Sequence, residues 1–99
     1  MARFDVHVSP DRAGYLLDVQ ADLLAHLNTR IVVPLLPVAV APKPAQRLNP
    51  IFRLGEADHV MVTQFLSAVP VAILGRPVST LIERDVEIVA ALDLVLSGI

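Results

Sequence analysis

Several residue types are scarce or missing in this sequence, and each absence excludes a class of function. The 99 residues contain no cysteine, so neither a disulfide framework nor a thiolate metal site can form. Tryptophan is absent and aromatic residues make up only 4%, which leaves little material for stacking nucleic acid bases. The 8 lysines and arginines are scattered and the net charge is -2, so no DNA- or RNA-binding surface is predicted.

Motifs that would indicate catalysis or a cofactor are also missing. The histidines (His7, His26 and His59) lack the spacings that place two metal ligands on one helix face. We therefore predict no metal site and interpret all three as exposed. The glycines stand apart, which excludes a phosphate-binding loop, and no serine has the Gly-x-Ser-x-Gly context of a hydrolase. The sequence thus predicts no cofactor and no catalytic residue.

No segment predicts export or membrane insertion. Residues 1–8 alternate between apolar and polar types, whereas a signal peptide needs an unbroken apolar stretch. The longest apolar run, residues 31–42, is interrupted by Pro34 and Pro37 and is shorter than the ~20 residues that cross a bilayer. We expect a cytoplasmic protein with no membrane contact.

Apolar residues, by contrast, are abundant. They make up 55% of the chain against 18% charged residues, which predicts a folded single domain over residues 1–99 with an aliphatic core. A domain of this size cannot bury all of that surface, so we also expect self-association.

Most of the chain has the patterns of antiparallel β-structure. Two-residue periodicity in residues 4–8 and 15–20, around a turn at 10–14, predicts a hairpin. Residues 30–35 predict a third strand, at a sheet edge or with a bulge because Pro34 lacks an amide donor. A loop over 37–50, a hairpin of strands 51–54 and 59–66, and an extended segment at 69–74 complete the body. The predicted inward residues of the first hairpin are Phe4, Val6, Val8, Tyr15, Leu17 and Val19, and the predicted outward ones are Arg3, Asp5, His7, Asp18 and Gln20.

A helix is predicted after the strands. Thr80 and Glu83 have the spacing of a capping box, and the helix should continue to about Leu96. We predict its buried stripe to comprise Ile82, Val86, Val89 and Leu96. Residues 88–96 are apolar apart from Asp93, which predicts that the helix end is covered by a second subunit.

Asp93 and the residues after it allow two interpretations. Asp93 could simply face solvent, followed by a frayed end at Gly98. Alternatively, the helix end and its carboxylate could form a mixed polar and apolar patch that a partner protein recognises. Leu23 and Leu24, on the residue pattern alone, are core or turn residues.

Five stretches of this chain resemble the CcdB family of toxins. Residues 18–24 (DVQADLL) resemble the family's DVQSDII, and residues 30–35 (RIVVPL) resemble its RMVIPL. Asn49-Pro50-Ile51 and residues 69–71 keep the same register. The finish, residues 93–99 (DLVLSGI), resembles the family's NLMFWGI. The resemblance extends over residues 4–99 without large gaps.

The resemblance implies a fold, a function and partners. The implied fold is mostly β (α+β), an SH3-like antiparallel barrel with a C-terminal α-helix that forms a homodimer. The implied function is that of a non-enzymatic toxin in a type II toxin–antitoxin system, which poisons DNA gyrase through its A subunit. A CcdA-like antitoxin with a disordered tail would neutralise it.

The resemblance also implies the partner-binding residues and shows where this chain departs from the family. The positions that match gyrase-contacting residues are Leu23, Leu24, Asp93, Leu96, Ser97, Gly98 and Ile99. The family's Trp and Phe are replaced by Ser97 and Leu96, and its Asn by Asp93. Two alternatives therefore stay open. One is a divergent or inactive homologue that binds only an antitoxin. The other is a MazF-like endoribonuclease, with charge from Arg3, Arg12, Arg30 and Arg53.

Overall fold

The computed structural model describes residues 1–99, which form one antiparallel sheet and one α-helix. The strands are β1 (Asp5–Val8), β2 (Tyr15–Asp18), β3 (Thr29–Pro37), β4 (Ile51–Leu54), β5 (Ala57–Met61), β6 (Ser67–Pro70) and β7 (Ser79–Thr80). Four 3₁₀ turns lie at Asp22–Leu24, Thr63–Phe65, Val71–Ile73 and Ile82–Arg84. The helix α1 covers Asp85–Ser97. No helix has the length and apolarity that spanning a membrane requires.

The strands follow the order β4-β5-β3-β2-β1-β7, with β6 beside β3. Every pairing is antiparallel, and the sheet curls into a half-barrel with α1 as its only α-helix. This architecture confirms the predicted mostly β (α+β) fold with a C-terminal helix.

Of the two alternatives predicted for the third strand, a sheet edge or a bulge at Pro34, the edge position is wrong. β3 is the central strand, and its 9 residues pair with β2 on one side and with two strands on the other. On that second side β6 pairs with residues 29–32 and β5 with residues 35–37. Pro34 lies between these two pairings, so its missing amide costs no ladder hydrogen bond. Its carbonyl accepts a hydrogen bond from the Val62 amide at 3.0 Å.

The main core lies between the concave face of the sheet and the helix. It is a cluster of 13 buried residues, mostly aliphatic as the composition predicts. The helix contributes Ile88, Ala91 and Leu92, and the sheet contributes its inward positions together with Phe52.

Residues 71–75 cover the opposite face of the sheet, and this covering explains the errors in the first predicted hairpin. Leu16, Val32 and Leu74 form a second buried cluster there. His7 and Asp18 share that face, because His7 pairs with Leu16 and Asp18 pairs with Val32.

The predicted burial of these positions is accordingly corrected. His7 and Asp18 are both 0% exposed and Gln20 is 5% exposed, although the alternation predicted that all three face water. Val8, predicted inside, is 56% exposed. A two-residue period identifies the two faces of a strand but cannot say that both are covered.

The helix begins later, and buries a different face, than predicted. Thr80 belongs to β7, and its hydroxyl accepts a hydrogen bond from the Ile82 amide at 3.3 Å. A 3₁₀ turn precedes the α-helix, which starts at Asp85. Ile82, Val86 and Leu96, predicted in the buried stripe, are 57%, 78% and 70% exposed. Because residues 88–96 are apolar on nearly every side, their periodicity does not select one face.

Smaller differences concern the second hairpin and the segments after it. The strand predicted at 59–66 is β5, which starts at Ala57 and ends at Met61 before a 3₁₀ turn. The hairpin connection is therefore two residues long. The extended segment predicted at 69–74 ends at Pro70 and continues as a 3₁₀ turn. Residues 38–50 form a loop, as predicted.

Candidate functional site

The candidate partner-binding residues lie on two segments, the 3₁₀ turn Asp22–Leu24 and the last part of α1 with the residues after it. Their apolar side chains are open to solvent, with Leu23 87%, Leu96 70% and Ile99 80% exposed. Leu24 is 43% exposed, so Leu23 and Leu24 are turn residues and not core residues. Large exposed apolar side chains are typical of a surface that another protein covers.

The two segments meet in one groove of about 450 Å³. Leu24 lines it from the turn, and Asp93 and Leu96 line it from the helix. Most of the other wall residues are apolar, and the charged ones are Arg3 and Asp93 alone. Leu23, Ser97, Gly98 and Ile99 lie outside the groove wall and are exposed. The groove therefore offers an apolar floor with one positive and one negative side chain in its wall.

Gln20 fixes the turn to the sheet. Its amide nitrogen donates a hydrogen bond to the Leu24 carbonyl at 2.9 Å, and its amide oxygen accepts one from the Ile31 amide at 3.1 Å. The backbone amide of Arg3 donates to the Asp22 carboxylate at 2.9 Å. Side chains thus hold the turn at both ends, although sequence reasoning placed Gln20 in water.

A buried ion pair lies next to this hydrogen-bonded residue. The Arg30 Nε donates to Asp18 Oδ2 at 2.8 Å, and Arg30 Nη2 lies 2.7 Å from the same oxygen without hydrogen-bond alignment. The backbone amide of Gln20 donates to the other carboxylate oxygen of Asp18, Oδ1, at 3.0 Å. Burial raises the pKa of Asp18 above its usual value, and the hydrogen bonds from Arg30 and Gln20 oppose that rise. A charged residue on each of two predicted strands was the signal available in the sequence.

Backbone geometry defines the end of the helix. Gly98 has a left-handed φ of +73°, and its amide donates to the Leu94 carbonyl at 3.0 Å. This is a common way to end a helix, and glycine adopts it without steric cost. Beyond it, the Arg47 Nη2 donates to the main-chain oxygen of Ile99 at 2.8 Å. Sequence reasoning missed Arg47, which it placed only in a loop.

The structure gives two of the three histidines structural roles, whereas His26 is exposed as predicted. The Nδ1 of His7 lies 2.8 Å from the Gly75 carbonyl, which can only accept, so Nδ1 carries the proton. His59 packs edge-on against Tyr15 and is 6% exposed. The interpretation of His7 and His59 as exposed residues is therefore wrong. No three His, Asp or Glu side chains are grouped so that they could hold a metal ion.

The arginines considered for an endoribonuclease each have an acidic or carbonyl group nearby. Arg30 is buried with its aspartate, and Arg53 lies 3.7 Å from Asp58. Arg12 lies 4.0 Å from Asp11, and Arg3 donates to the Val19 carbonyl. Arg30 is therefore out of reach of an RNA phosphate, whereas Arg12 and Arg53 form only exposed ion pairs.

Comparison with known protein families gives one match across nearly the whole chain. The family model described as CcdB protein matches residues 3–98, which include both segments of the candidate site except Ile99.

Proposed function

Because this chain belongs to the CcdB family, whose members are toxins of toxin–antitoxin systems, we propose that it binds and poisons DNA gyrase in the cytoplasm. The observation that carries the proposal is the groove in which Leu24, Asp93 and Leu96 meet. These are three of the positions that match the family's gyrase-contacting residues. The proposed action is binding, with no covalent chemistry by this chain.

The exposed surface around the groove supports a protein partner. The apolar side chains of Leu23 and Leu96 are mostly exposed and do not belong to the protein's buried core. A partner that covers them removes apolar surface from water, at ~25 cal/mol per Å². Asp93 adds a carboxylate that can accept a hydrogen bond or pair with a basic residue of the gyrase A subunit.

The replacement of two aromatic residues weakens the proposed contact. Ser97 and Leu96 stand where the family has Trp and Phe, and loss of a central aromatic anchor commonly costs ~2 kcal/mol, or about thirtyfold in affinity. We therefore expect this protein to inhibit gyrase only at a higher concentration than a protein with Trp and Phe at these two positions would need. We expect Ser97→Trp to increase inhibition.

Supercoiling and DNA cleavage assays with purified gyrase test the proposal. The protein should reduce supercoiling and trap cleaved DNA at micromolar concentration. Absence of both effects at that concentration would remove gyrase as the target.

A matched pair of variants locates the contact. Leu96→Glu and Val86→Glu each add one charge to an exposed apolar position of the same helix, 70% and 78% exposed. Leu96→Glu should weaken gyrase inhibition at least about tenfold, as expected for a charge at an apolar contact. Val86→Glu should leave inhibition unchanged. Equal effects of the two variants would contradict the proposed site.

We also propose that two copies of the chain associate as a homodimer through the apolar helix end. Leu94 and Val95, apolar residues of the helix end that are only partly buried in one copy, support this association. Sedimentation equilibrium should show a dimer at micromolar concentration. A monomer at the highest concentration reached would refute it.

A CcdA-like antitoxin is the second proposed partner protein. The serine at position 97 favours an alternative in which the antitoxin is the only partner and gyrase is not bound. A divergent homologue would bind the antitoxin but not gyrase. In that case expression of the protein would not inhibit growth, whereas expression of Ser97→Trp would. Harmlessness of both proteins would count against this alternative. Binding of a synthetic antitoxin tail, measured by calorimetry, tests the antitoxin contact directly.

A further inference from the structure

Arg47 lies in a turn that buried side chains hold against the sheet. Asn49 is 5% exposed and bonds to three groups, the Ala45 amide, the Met61 carbonyl and the Gln64 side chain. The fully buried Thr63 donates its hydroxyl to the Leu48 carbonyl at 2.5 Å. These contacts fix the backbone on both sides of Arg47.

Arg47 adopts a backbone conformation that non-glycine residues rarely take. Its φ is +68°, in the left-handed region that disfavours a side chain with a Cβ. Such a conformation persists where the surrounding structure enforces it, and it is often found at functional sites. Here the anchored turn enforces it.

The Arg47 side chain reaches the far end of the chain. Its Nη2 donates to the main-chain oxygen of Ile99 at 2.8 Å, across 52 positions of sequence. The helix has already ended at Gly98, and the Ile99 side chain is 80% exposed, so core packing does not hold this residue. The guanidinium is a charged donor, which makes the hydrogen bond stronger than one between neutral groups.

We infer that Arg47 is a positioning residue that orders residues 97–99 for partner binding, an inference that rests on the proposed function. Residues 97–99, the tip of the chain, carry no aromatic anchor, so the cost of ordering them is a larger fraction of the free energy that binding gains. Ordering a segment in advance removes part of the entropy cost of binding.

Nuclear magnetic resonance on the free protein tests the ordering step without gyrase. We expect the ¹⁵N heteronuclear NOE of Ile99 to be near that of the helix in the wild type and to fall in Arg47→Gly. Glycine suits the positive φ, so this variant should unfold at the same or higher temperature than the wild type. Arg47→Lys keeps a charged donor and should recover most of the NOE. An Ile99 that stays equally ordered in Arg47→Gly would overturn the inference.

Binding to the gyrase A subunit then tests the consequence. Arg47→Gly should bind about three- to tenfold more weakly, the range expected for the cost of ordering one or two residues, and Arg47→Lys should lie near the wild type. A loosened tip that binds as tightly as the wild type would refute the positioning role. A wild type that does not bind gyrase at all would refute the proposed function, and the NOE comparison would still decide whether Arg47 orders the tip.

Discussion

Replacing Arg30 with methionine would leave the Asp18 carboxylate buried without its positive partner. The two side chains are 2% and 0% exposed, and the arginine places two nitrogens within 2.8 Å of one carboxylate oxygen. Methionine is unbranched and flexible, so it can fill much of the vacated space. Breaking a buried ion pair by removing one partner typically costs ~3–5 kcal/mol, and we expect that loss in the free energy of unfolding at pH 7.

The loss should depend on pH in a direction that the structure fixes. Burial already raises the pKa of Asp18, and Arg30 is a principal group opposing that rise. Without Arg30 the pKa of the folded state rises further above its unfolded value. A raised pKa in an acid means that the folded state binds more protons, so stability increases as pH falls through the folded pKa. The destabilisation by Arg30→Met should therefore be smaller at pH 5 than at pH 7.

Urea unfolding of the wild type and the variant at both pH values measures the effect. Arg53→Met is the matched control, because Arg53 lies 3.7 Å from Asp58 with both side chains more than half exposed. An exposed pair contributes ~0–1 kcal/mol, so this control should change stability little. A loss of less than ~1 kcal/mol in Arg30→Met, or a loss that does not vary with pH, would refute a buried charge at Asp18.

Three further substitutions and one control, Gly75→Ala, test other parts of the fold. Gly14→Ala should lower the free energy of unfolding by ~1–3 kcal/mol, because φ is +101° and the new Cβ would lie 2.2 Å from the main-chain oxygen of Leu35. In Gly75→Ala the new Cβ enters open space, so this control should change thermal unfolding little. Asn49→Ala removes hydrogen bonds to two main-chain groups and should cost ~1–3 kcal/mol in urea unfolding. In Arg84→Ala, an NMR titration should show the pKa of Glu87, which the Arg84 hydrogen bond holds below its usual value, rise toward that of an ordinary glutamate. Glu87 stabilises the wild type above its unfolded pKa and loses that contribution as pH falls through the folded value.

The residue pattern predicted the fold better than it predicted which faces are buried. The alternation at Phe4 and Val6 and in residues 15–19 located the first two strands, because apolar positions that recur every second residue predict a strand. It failed for His7 and Asp18, because a segment 50 to 70 positions later covers the second face of the sheet. A contact between residues so far apart in the sequence cannot be detected in a window of eight residues.

In the candidate site, too, some residues could be predicted from the sequence and others could not. The exposed positions Leu96 and Ser97 could be identified from the resemblance, because that comparison matches residue to residue. Gln20 and Arg47 could not be found in the same way, since each acts on main-chain atoms of a distant segment. Every residue has a main-chain oxygen, so a side chain that binds one places little demand on the identity of the residue to which that oxygen belongs. The sequence around such an oxygen therefore gives no signal of the contact.

This arrangement separates the presentation of the site from its surface chemistry. Gln20 holds the turn through the Leu24 carbonyl, and the Gly98 amide and the Arg47 guanidinium hold the helix end through main-chain oxygens. None of these hydrogen bonds uses the side chain of Leu96 or Ser97, which project into solvent. Changes at those two positions should therefore alter which partner binds, and how tightly, without a measurable change in the free energy of unfolding. On this reasoning, the loss of the family's aromatic residues is a change in recognition on an intact scaffold, and Ser97→Trp should fold with the stability of the wild type.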